Sequence, residues 1–339
     1  MGASNAVGVV IVNYRSAELT LRALESLARE RAHTGLALGA VVVENASGDA
    51  EVLAREIAAR FASFARLVIS PVNGGFGAGN NLGLRALFDD REPPAYCFFL
   101  NPDTEVRRGA VAALVTFLEH HPRAAFAGSR IEHADGTDWP IAFRFPSVWS
   151  ELESGCSIGL VSRWLTEHAV AKTMGDAPER ADWLCGAAFM ARRAVLERIG
   201  GFDESYFLYF EEIDLCLRAH RAGFECWHVP ESRVMHIRGQ STGVTALGGE
   251  PRRLPRYWFE SRRHFYVKNH GLAYAALADL ACIGGNGIGL VKRALRRQPN
   301  TPHFLRDLVR ESVLFPGVLA RLRPPRHYVP APVLASSGA

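Results

Sequence analysis

A chain of 339 residues exceeds the ~100–200 residues usual for one domain, so one large domain with an appendage, or two domains, is expected. Hydrophobic residues at 48% and charged residues at 22% exclude a disordered or fibrous chain, and a net charge of +4 argues against a nucleic-acid partner. Six cysteines standing singly (Cys97, Cys156, Cys185, Cys216, Cys226, Cys282) exclude a closely spaced zinc or dithiol motif and suit a reducing compartment.

The N-terminal segment MGASNAVGVVIVNYRS carries no basic residue ahead of its short apolar run, and no stretch reaches the ~18 uninterrupted apolar residues of a membrane span. Both features make the cytoplasm the expected location. Through residue 130, short apolar runs alternate with helix-period segments, the pattern of βαβ units around a parallel sheet. Strands are expected at Val7 to Val12, Leu38 to Val43, Arg66 to Ser70, Tyr96 to Leu100 and Ala124 to Gly128, each nearly all apolar, as strands covered on both faces must be. Between them Leu21, Leu24, Leu27 and Ala28 share one helical face, and Val111, Leu114, Val115 and Leu118 share another. Residues 130 to 180 lose the pattern and read as loops with a flap. Order returns with a strand running into a helix at Trp183 to Arg193, a helix over EEIDLCLRAHRAG closed by Gly223, and the segments ECWHV and RVMHIRGQST. Beyond residue 245 the chain turns basic and aromatic (RYWFESRRHFYVKNHG), then apolar from Leu272 to Val291 apart from Asp279, Asn286 and four glycines, then basic again in KRALRR.

In open α/β sheets, ligands bind outside the carboxyl ends of the strands. Here those ends carry Asn13-Tyr14, Glu44-Asn45, Asn73 to Gly77 and Asn101-Pro102-Asp103. One such end is an ordinary turn, whereas four on one rim point to a binding site. Asp103, with Asn101 two residues before it, resembles the Asp-x-Asp device that holds a hard divalent cation against a diphosphate, with Asp103 as the ligand and Asn101 as a hydrogen-bonding neighbour; the less favoured alternative is an Asp stabilising a turn after proline. His236 follows another apolar run and either offers an imidazole to the same ion or fills a structural place, as one of twelve histidines. The run NGGFGAGNNLG, Asn73 to Gly83, permits close approach of backbone to a ligand, with Asn80 and Asn81 at a helix start, but matches neither common phosphate-loop fingerprint. Glu211, Glu212 and Asp214 share one turn at a helix start, where either the helix dipole accounts for them or one serves as a general base of raised pKa beside the aromatic approach FDESYFLYF.

Seven segments in order, VVIVNYRS, VVVENASGD, NGGFGAGNNLG, FFLNPDTEV, WLCGAAFMARR, GGFDESYFLYFEEIDLCLR and VMHIRGQST, resemble the family 2 inverting glycosyltransferases of GT-A fold, especially the rhamnosyltransferase-like branch. The resemblance spans roughly residues 7 to 240. It implies an α/β fold of GT-A type, a Rossmann-like, mostly parallel sheet flanked by helices, with a helical C-terminal extension. The catalytic domain would cover 1–245, with a nucleotide-sugar half at 1–130 and an acceptor half at 131–245, and the extension 246–339. The roles it implies put Tyr14, Glu44, Asn45, Asn73, Phe76, Gly77, Asn81 and Asn101 on the nucleotide sugar, Asp103 and His236 on a divalent Mg or Mn, and Trp183 and Glu211 on the acceptor. Glu212 would be the base, with Asp214 as substitute. The family usually has Asp where Glu44 and Glu212 stand, and one extra methylene displaces a carboxylate by roughly 1 Å.

The implied reaction inverts the sugar in one displacement, from a nucleotide-sugar donor (dTDP-rhamnose is favoured by likeness) to a glycan or polyprenyl-linked acceptor of a bacterial surface polysaccharide. A degenerate nucleotide-sugar or glycan-binding subunit is the alternative, prompted by the two Asp-to-Glu departures. The tail reads either as an amphipathic segment making peripheral contact with the inner face of the cytoplasmic membrane or as a helix packed on the catalytic domain. No nucleic-acid partner is expected, and a homodimer stays open.

Overall fold

The structure, a computed structural model, describes residues 6–133, 135–139, 142–156, 166–237, 253–296, 303–315 and 317–318. Strands β1 (Val7–Asn13), β2 (Leu38–Glu44), β3 (Ala65–Ile69) and β4 (Tyr96–Leu100) pair in parallel in the order β3-β2-β1-β4, joined by helices α1 (Ala17–Thr34), α2 (Ala50–Arg60) and α3 (Gly75–Phe88). Successive residues of a strand point to opposite faces, so the all-apolar β1 feeds two cores at once. Val9 and Ile11 pack with Leu24 and Leu27 of α1, while Val10 and Val12 pack with Leu84 and Leu87 of α3. Leu24 and Leu27 are fully buried, and truncating either to Ala would cost ~2–5 kcal/mol.

The glycine run has a structural use that its reading as a ligand loop did not include. A Cβ on Gly79 would meet Val12 Cγ1 at 2.6 Å, and one on Gly83 would meet Val10 Cγ1 at 2.4 Å, so these glycines let α3 lie directly on β1.

The second half adds β5 (Thr104–Val106), α4 (Ala110–His120), β6 (Ala124–Glu132), β7 (Asp138–Trp139), β8 (Ala142–Phe143) and α5 (Val148–Cys156). A 3-10 turn (Thr166–His168), β9 (Glu179–Ala181), β10 (Trp183–Leu184), β11 (Ala188–Arg192), α6 (Arg193–Ile199), α7 (Glu211–Arg221) and β12 (Glu225–His236) follow. The main sheet continues β4-β11-β6-β12-β5, with β11 antiparallel to both neighbours, β12 parallel to β6, and β5 antiparallel to β12. The two segments ECWHV and RVMHI form one strand, irregular between Val229 and Arg233, where Pro230 removes a ladder donor. Part of the expected loop region is ordered: β6 runs on to Glu132 and α5 forms a nine-residue helix. The rest of the expected flap at 157–165, the RGQST end of the last motif and the boundary near 245 lie outside the described residues.

Three C-terminal helices, α8 (Arg256–His270), α9 (Leu272–Leu295) and α10 (Phe304–Glu311), complete the described chain. Phe265, Tyr266, Ala275 and Ala278 bury against Phe210, Ile213 and Leu217 around α7. Asp279 breaks the apolar segment because it is needed inside: it pairs with the buried guanidinium of Arg262, which also holds Glu151 of α5 at 3.0 Å. A buried charge is tolerated only with such partners.

Candidate active site

Register places the first pair. Strand β5 runs antiparallel to the end of β12, setting His236 opposite Thr104, and Ile237 N donates to Asp103 O at 2.9 Å. His236 Nε2 thereby comes to 3.1 Å from Asp103 Oδ1 across 133 residues of chain, with both side chains buried. Neighbouring ligands of an octahedral ion with ~2.1 Å bonds sit roughly 3 Å apart, so this oxygen and nitrogen fit one divalent cation. Among the described residues no third Asp, Glu, His or Cys joins the pair in a metal cluster, and the two side chains are hydrogen-bonded to each other. Asn101 closes the turn behind the pair: its N donates to Ala187 O at 2.9 Å and its O accepts from Thr104 Oγ1 at 2.6 Å.

The ends of β1, β2 and the glycine loop form the adjoining stretch of rim. Buried Glu44 accepts from Ser47 N at 2.6 Å and from Ser47 Oγ, bracing a turn in which Ala46 has φ +55°. Asn45 Nδ2 donates to Asn73 Oδ1 at 3.0 Å and to Gly75 O at 3.2 Å, and Gly75 N donates to Asn73 Oδ1 at 3.0 Å, so these two amides tie the end of β2 to the glycine loop. Gly75 has φ +86°, and a Cβ there would lie 1.8 Å from Phe207 O; no other residue fits. Phe76 N donates to that same Phe207 O at 3.1 Å, its ring packs edge-on to Phe202 at 5.9 Å, and a Cβ on Gly77 would meet Phe202 Cβ at 3.1 Å and Glu211 Cβ at 3.7 Å. Tyr14 is half-buried beneath the Arg15 guanidinium, 5.3 Å from its ring centre.

Asn81 departs from expectation. It is fully buried, donates to Phe202 O and Glu204 Oε1 at 2.9 Å each, and accepts from Phe202 N at 2.9 Å. Both ends of its amide are engaged by the 202–204 stretch, so it positions that stretch and does not line the rim.

The carboxylates at the start of α7 are aimed by an unusual turn. Tyr209 and Phe210 both take φ +70°, a left-handed conformation costing on the order of 1–3 kcal/mol for each non-glycine residue. Helix α8 holds it in place: Phe210 packs on Trp258 and Phe265 with ring centres 6.0 and 5.6 Å away, and Tyr209 stacks on Tyr257 at 6.1 Å. Glu211 is buried and Glu212 half-buried, and neither Oε2 has solvent or a hydrogen-bond partner. Burial pushes the Glu212 carboxyl up to about 7 against the opposing pull of the Glu212 and Gly186 amides. Burial, and then the charge of Glu212, holds Glu211 well above the carboxylate range.

Asp214 goes the other way. Burial would raise it, but Arg218 at 2.9 Å and Lys268 at 2.7 Å outweigh that and hold it below its ordinary value; Asn269 and Tyr206 complete its shell. Two residues along a helix is a rotation of about 200°, so Asp214 faces the core while Glu212 faces outward. The substitute base is thus a structural anchor, a correction of the expected role.

Glu212 looks into a cavity of about 430 Å³ that also exposes Trp183, Tyr209, Phe210, Trp258 and Phe304, with Cys282 and Asn286 of α9 on its far wall. Trp183 is fixed by stacking on Phe143 at 4.2 Å and by donating from Nε1 to Arg144 O at 2.9 Å. Gly186, which the sequence reading passed over, joins the two halves of the site: a Cβ there would lie 3.3 Å from the Phe76 ring and 3.8 Å from Glu212 Oε1. Its neighbour Ala187 accepts from Asn101 N and the Gly186 amide faces Glu212, so the backbone at Asn101, Ala187 and Gly186 links the Asp103 turn to the Glu212 carboxyl. A glycine just ahead of an apolar strand was the available signal for it.

A family model described as glycosyltransferase like family 2 matches residues 4–247, which includes every element from β1 to β12. The chain is 30% identical over 188 residues to the N-acetylglucosaminyl-diphospho-decaprenol L-rhamnosyltransferase of Mycobacterium tuberculosis, a match covering 52% of this chain and 60% of that one. It is 29% identical over 168 residues to rhamnosyltransferase WbbL of Escherichia coli K12, covering 48% and 60% respectively. The matches thus span about 60% of the length of these curated relatives. Among solved structures, the mannosyltransferase PcManGT from Pyrobaculum calidifontis, in complex with GDP-Man and Mn2+, has a TM-score of 0.53 at 15% identity over 86% of this chain and 74% of that chain, a likeness of fold. With its family model matched across the whole αβ body, this chain belongs to glycosyltransferase family 2.

Proposed function

We propose that the protein is a metal-dependent, inverting glycosyltransferase that moves a sugar from a nucleotide-sugar donor to a hydroxyl of a lipid-linked glycan acceptor during surface polysaccharide synthesis. The observation that carries this is the backbone linkage, through Asn101, Ala187 and Gly186, between the Asp103–His236 pair and Glu212. The rhamnosyltransferase relatives, one named for a diphospho-decaprenol acceptor, support rhamnose as the transferred sugar and a polyprenyl-linked acceptor. The fold neighbour with GDP-Man and Mn2+ supports a metal-bound nucleotide sugar.

Asp103 and His236 would hold Mg or Mn, which supplies positive charge to stabilise the departing diphosphate. Asn45 and Asn73 shape the glycine loop against which the donor lies, beside Tyr14 and Glu44. Trp183 offers a flat apolar face to the acceptor sugar. Glu212 accepts the proton of the attacking hydroxyl; with its carboxyl raised to about 7, it is a stronger base than an ordinary carboxylate and titrates near neutral pH. Glu211, assigned to the acceptor by the family resemblance, is buried one residue before Glu212. The division at residue 245 is retained, with the extension acting as a wall of the acceptor cavity.

The test is a panel of nucleotide sugars with Mg or Mn, read first as protection against thermal unfolding and then as nucleoside diphosphate release. Release should require metal and vanish in Asp103→Ala. Full turnover with chelator present refutes the metal-dependent reading, and donor binding without turnover across a broad acceptor panel favours a degenerate binding subunit.

A further inference from the structure

Transfer chemistry leaves one large feature unused. On α9, Leu277, Leu280, Gly284, Ile288, Val291 and Leu295 recur every three or four residues and are all exposed, the five large side chains by 46% to 82%. These spacings describe one face of a helix, and here that face is apolar where a helix of a water-surrounded protein is polar. No acid interrupts it. The single acidic residue of α9, Asp279, is buried on the opposite side with Arg262 and accepts from Ser312 Oγ and Val313 N. Lys292 and Arg293 stand in the last turn and Arg296 caps it.

By length and composition α9 is able to cross a bilayer. Its inner face forbids that. A Cβ on Gly289 would lie 2.1 Å from Gly155 O, and one on Gly285 would lie 2.5 Å from Leu152 O, so α9 and α5 touch backbone to backbone. Spanning would pull these surfaces apart and strip Asp279 of its guanidinium. An in-plane placement keeps both and covers only the exposed stripe.

We propose that α9 docks the protein on an anionic bilayer, lying parallel to its surface with the apolar stripe at the acyl boundary and Lys292 and Arg296 among lipid phosphates. The basic end selects the occupant, because a lipid surface of opposite charge satisfies both the stripe and the cations. The consequence for transfer rests on the function proposed above: α9 also supplies Cys282 and Asn286, on the face turned away from the stripe, to the cavity that Glu212 faces, so a docked helix would hold that cavity about one helix diameter, ~10 Å, from the lipid surface where a lipid-linked hydroxyl is presented.

Flotation on a density gradient tests this, using the full chain with phosphatidylglycerol-rich vesicles and with pure phosphatidylcholine vesicles. The wild type should float with the anionic vesicles, bind the neutral ones roughly tenfold less, and be released by alkaline carbonate. Leu277→Glu combined with Ile288→Glu should reduce flotation at least about tenfold while melting and transfer to a water-soluble acceptor stay unchanged. Lys292→Glu with Arg296→Glu should remove only the preference for anionic lipid. A wild type that binds neither vesicle, a Leu277→Glu/Ile288→Glu variant that floats normally, or carbonate-resistant retention overturns the proposal. So does a lipid-free dimer that this variant dissociates, since the stripe would then serve a second copy. A protein that floats but transfers no sugar upholds the docking surface and refutes the transferase reading instead.

Discussion

Replacing Lys268 by Met tests whether the C-terminal helices aim the carboxylate of Glu212, the proposed base. Lys268 Nζ lies 2.8 Å from Asp203 Oδ2 and 2.7 Å from Asp214 Oδ1, at a point where both carboxylates are fully buried. Breaking a buried pair by removing one partner typically costs 3–5 kcal/mol. Asp214 retains Arg218 at 2.9 Å and Asn269 at 2.9 Å, and Asp203 retains the Ser205 amide at 2.9 Å, so the lower end, ~3 kcal/mol, is expected. In a chain of 339 residues roughly 1.4 °C accompanies each kcal/mol, so the melting temperature should fall by about 4 °C at neutral pH. The pH dependence is the sharper test. Asp214 is held below its ordinary value, so its contribution is full above the unfolded pKa of about 3.9 and is lost as pH falls through the folded one. The methionine variant loses one of the two cations responsible, so its deficit should be largest near pH 7 and shrink below about pH 4. Because Glu212 starts the same helix, kcat should fall more than donor affinity. Thermal melts from pH 3 to 8 decide it: a deficit under ~1 kcal/mol, or one independent of pH, would refute the reasoning.

Glu212→Gln should lower kcat/KM by roughly 10²–10⁴ while leaving donor-induced thermal protection intact, and the wild-type pH profile should climb through a limb near pH 7; equal loss of donor binding would point to misfolding. His228 is buried with neither ring nitrogen hydrogen-bonded, and burial followed by the Arg130 charge depresses it to about 4. Its neutral form is favoured by folding, so stability should be full above the unfolded pKa of ~6.5 and fall by on the order of 3 kcal/mol as pH drops toward 4, a slope that His228→Leu should flatten in urea titrations. Gly75→Ala forces a side chain into Phe207 O at a positive φ and should detach the glycine loop, costing more than ~1 kcal/mol and weakening nucleotide-sugar binding measured by calorimetry; an unchanged dissociation constant would separate that loop from the donor.

What the sequence disclosed and what it hid divide along a physical line. The parallel half was legible because each strand is a closed apolar run and each crossover keeps a helical period, so local composition fixes the local answer. The rim was legible for the same reason: Asn45, Asn73 and Asp103 sit where predicted strands stop. His236 reaches Asp103 only because β5, three residues long, pairs with the far end of β12, and a three-residue strand carries no periodicity to read. Asn81 looked like a ligand-facing amide because its partners lie 121 and 123 residues away. Gly79 and Gly83 looked like ligand glycines because close approach to a strand and close approach to a phosphate demand the same missing Cβ. The choice between Glu212 and Asp214, by contrast, was open to inspection. Asp214 and Arg218 stand at i and i+4 on a predicted helix, the spacing of an ion pair, so the sequence already marked that carboxylate as engaged and its neighbour two residues earlier, turned about 200° away, as available.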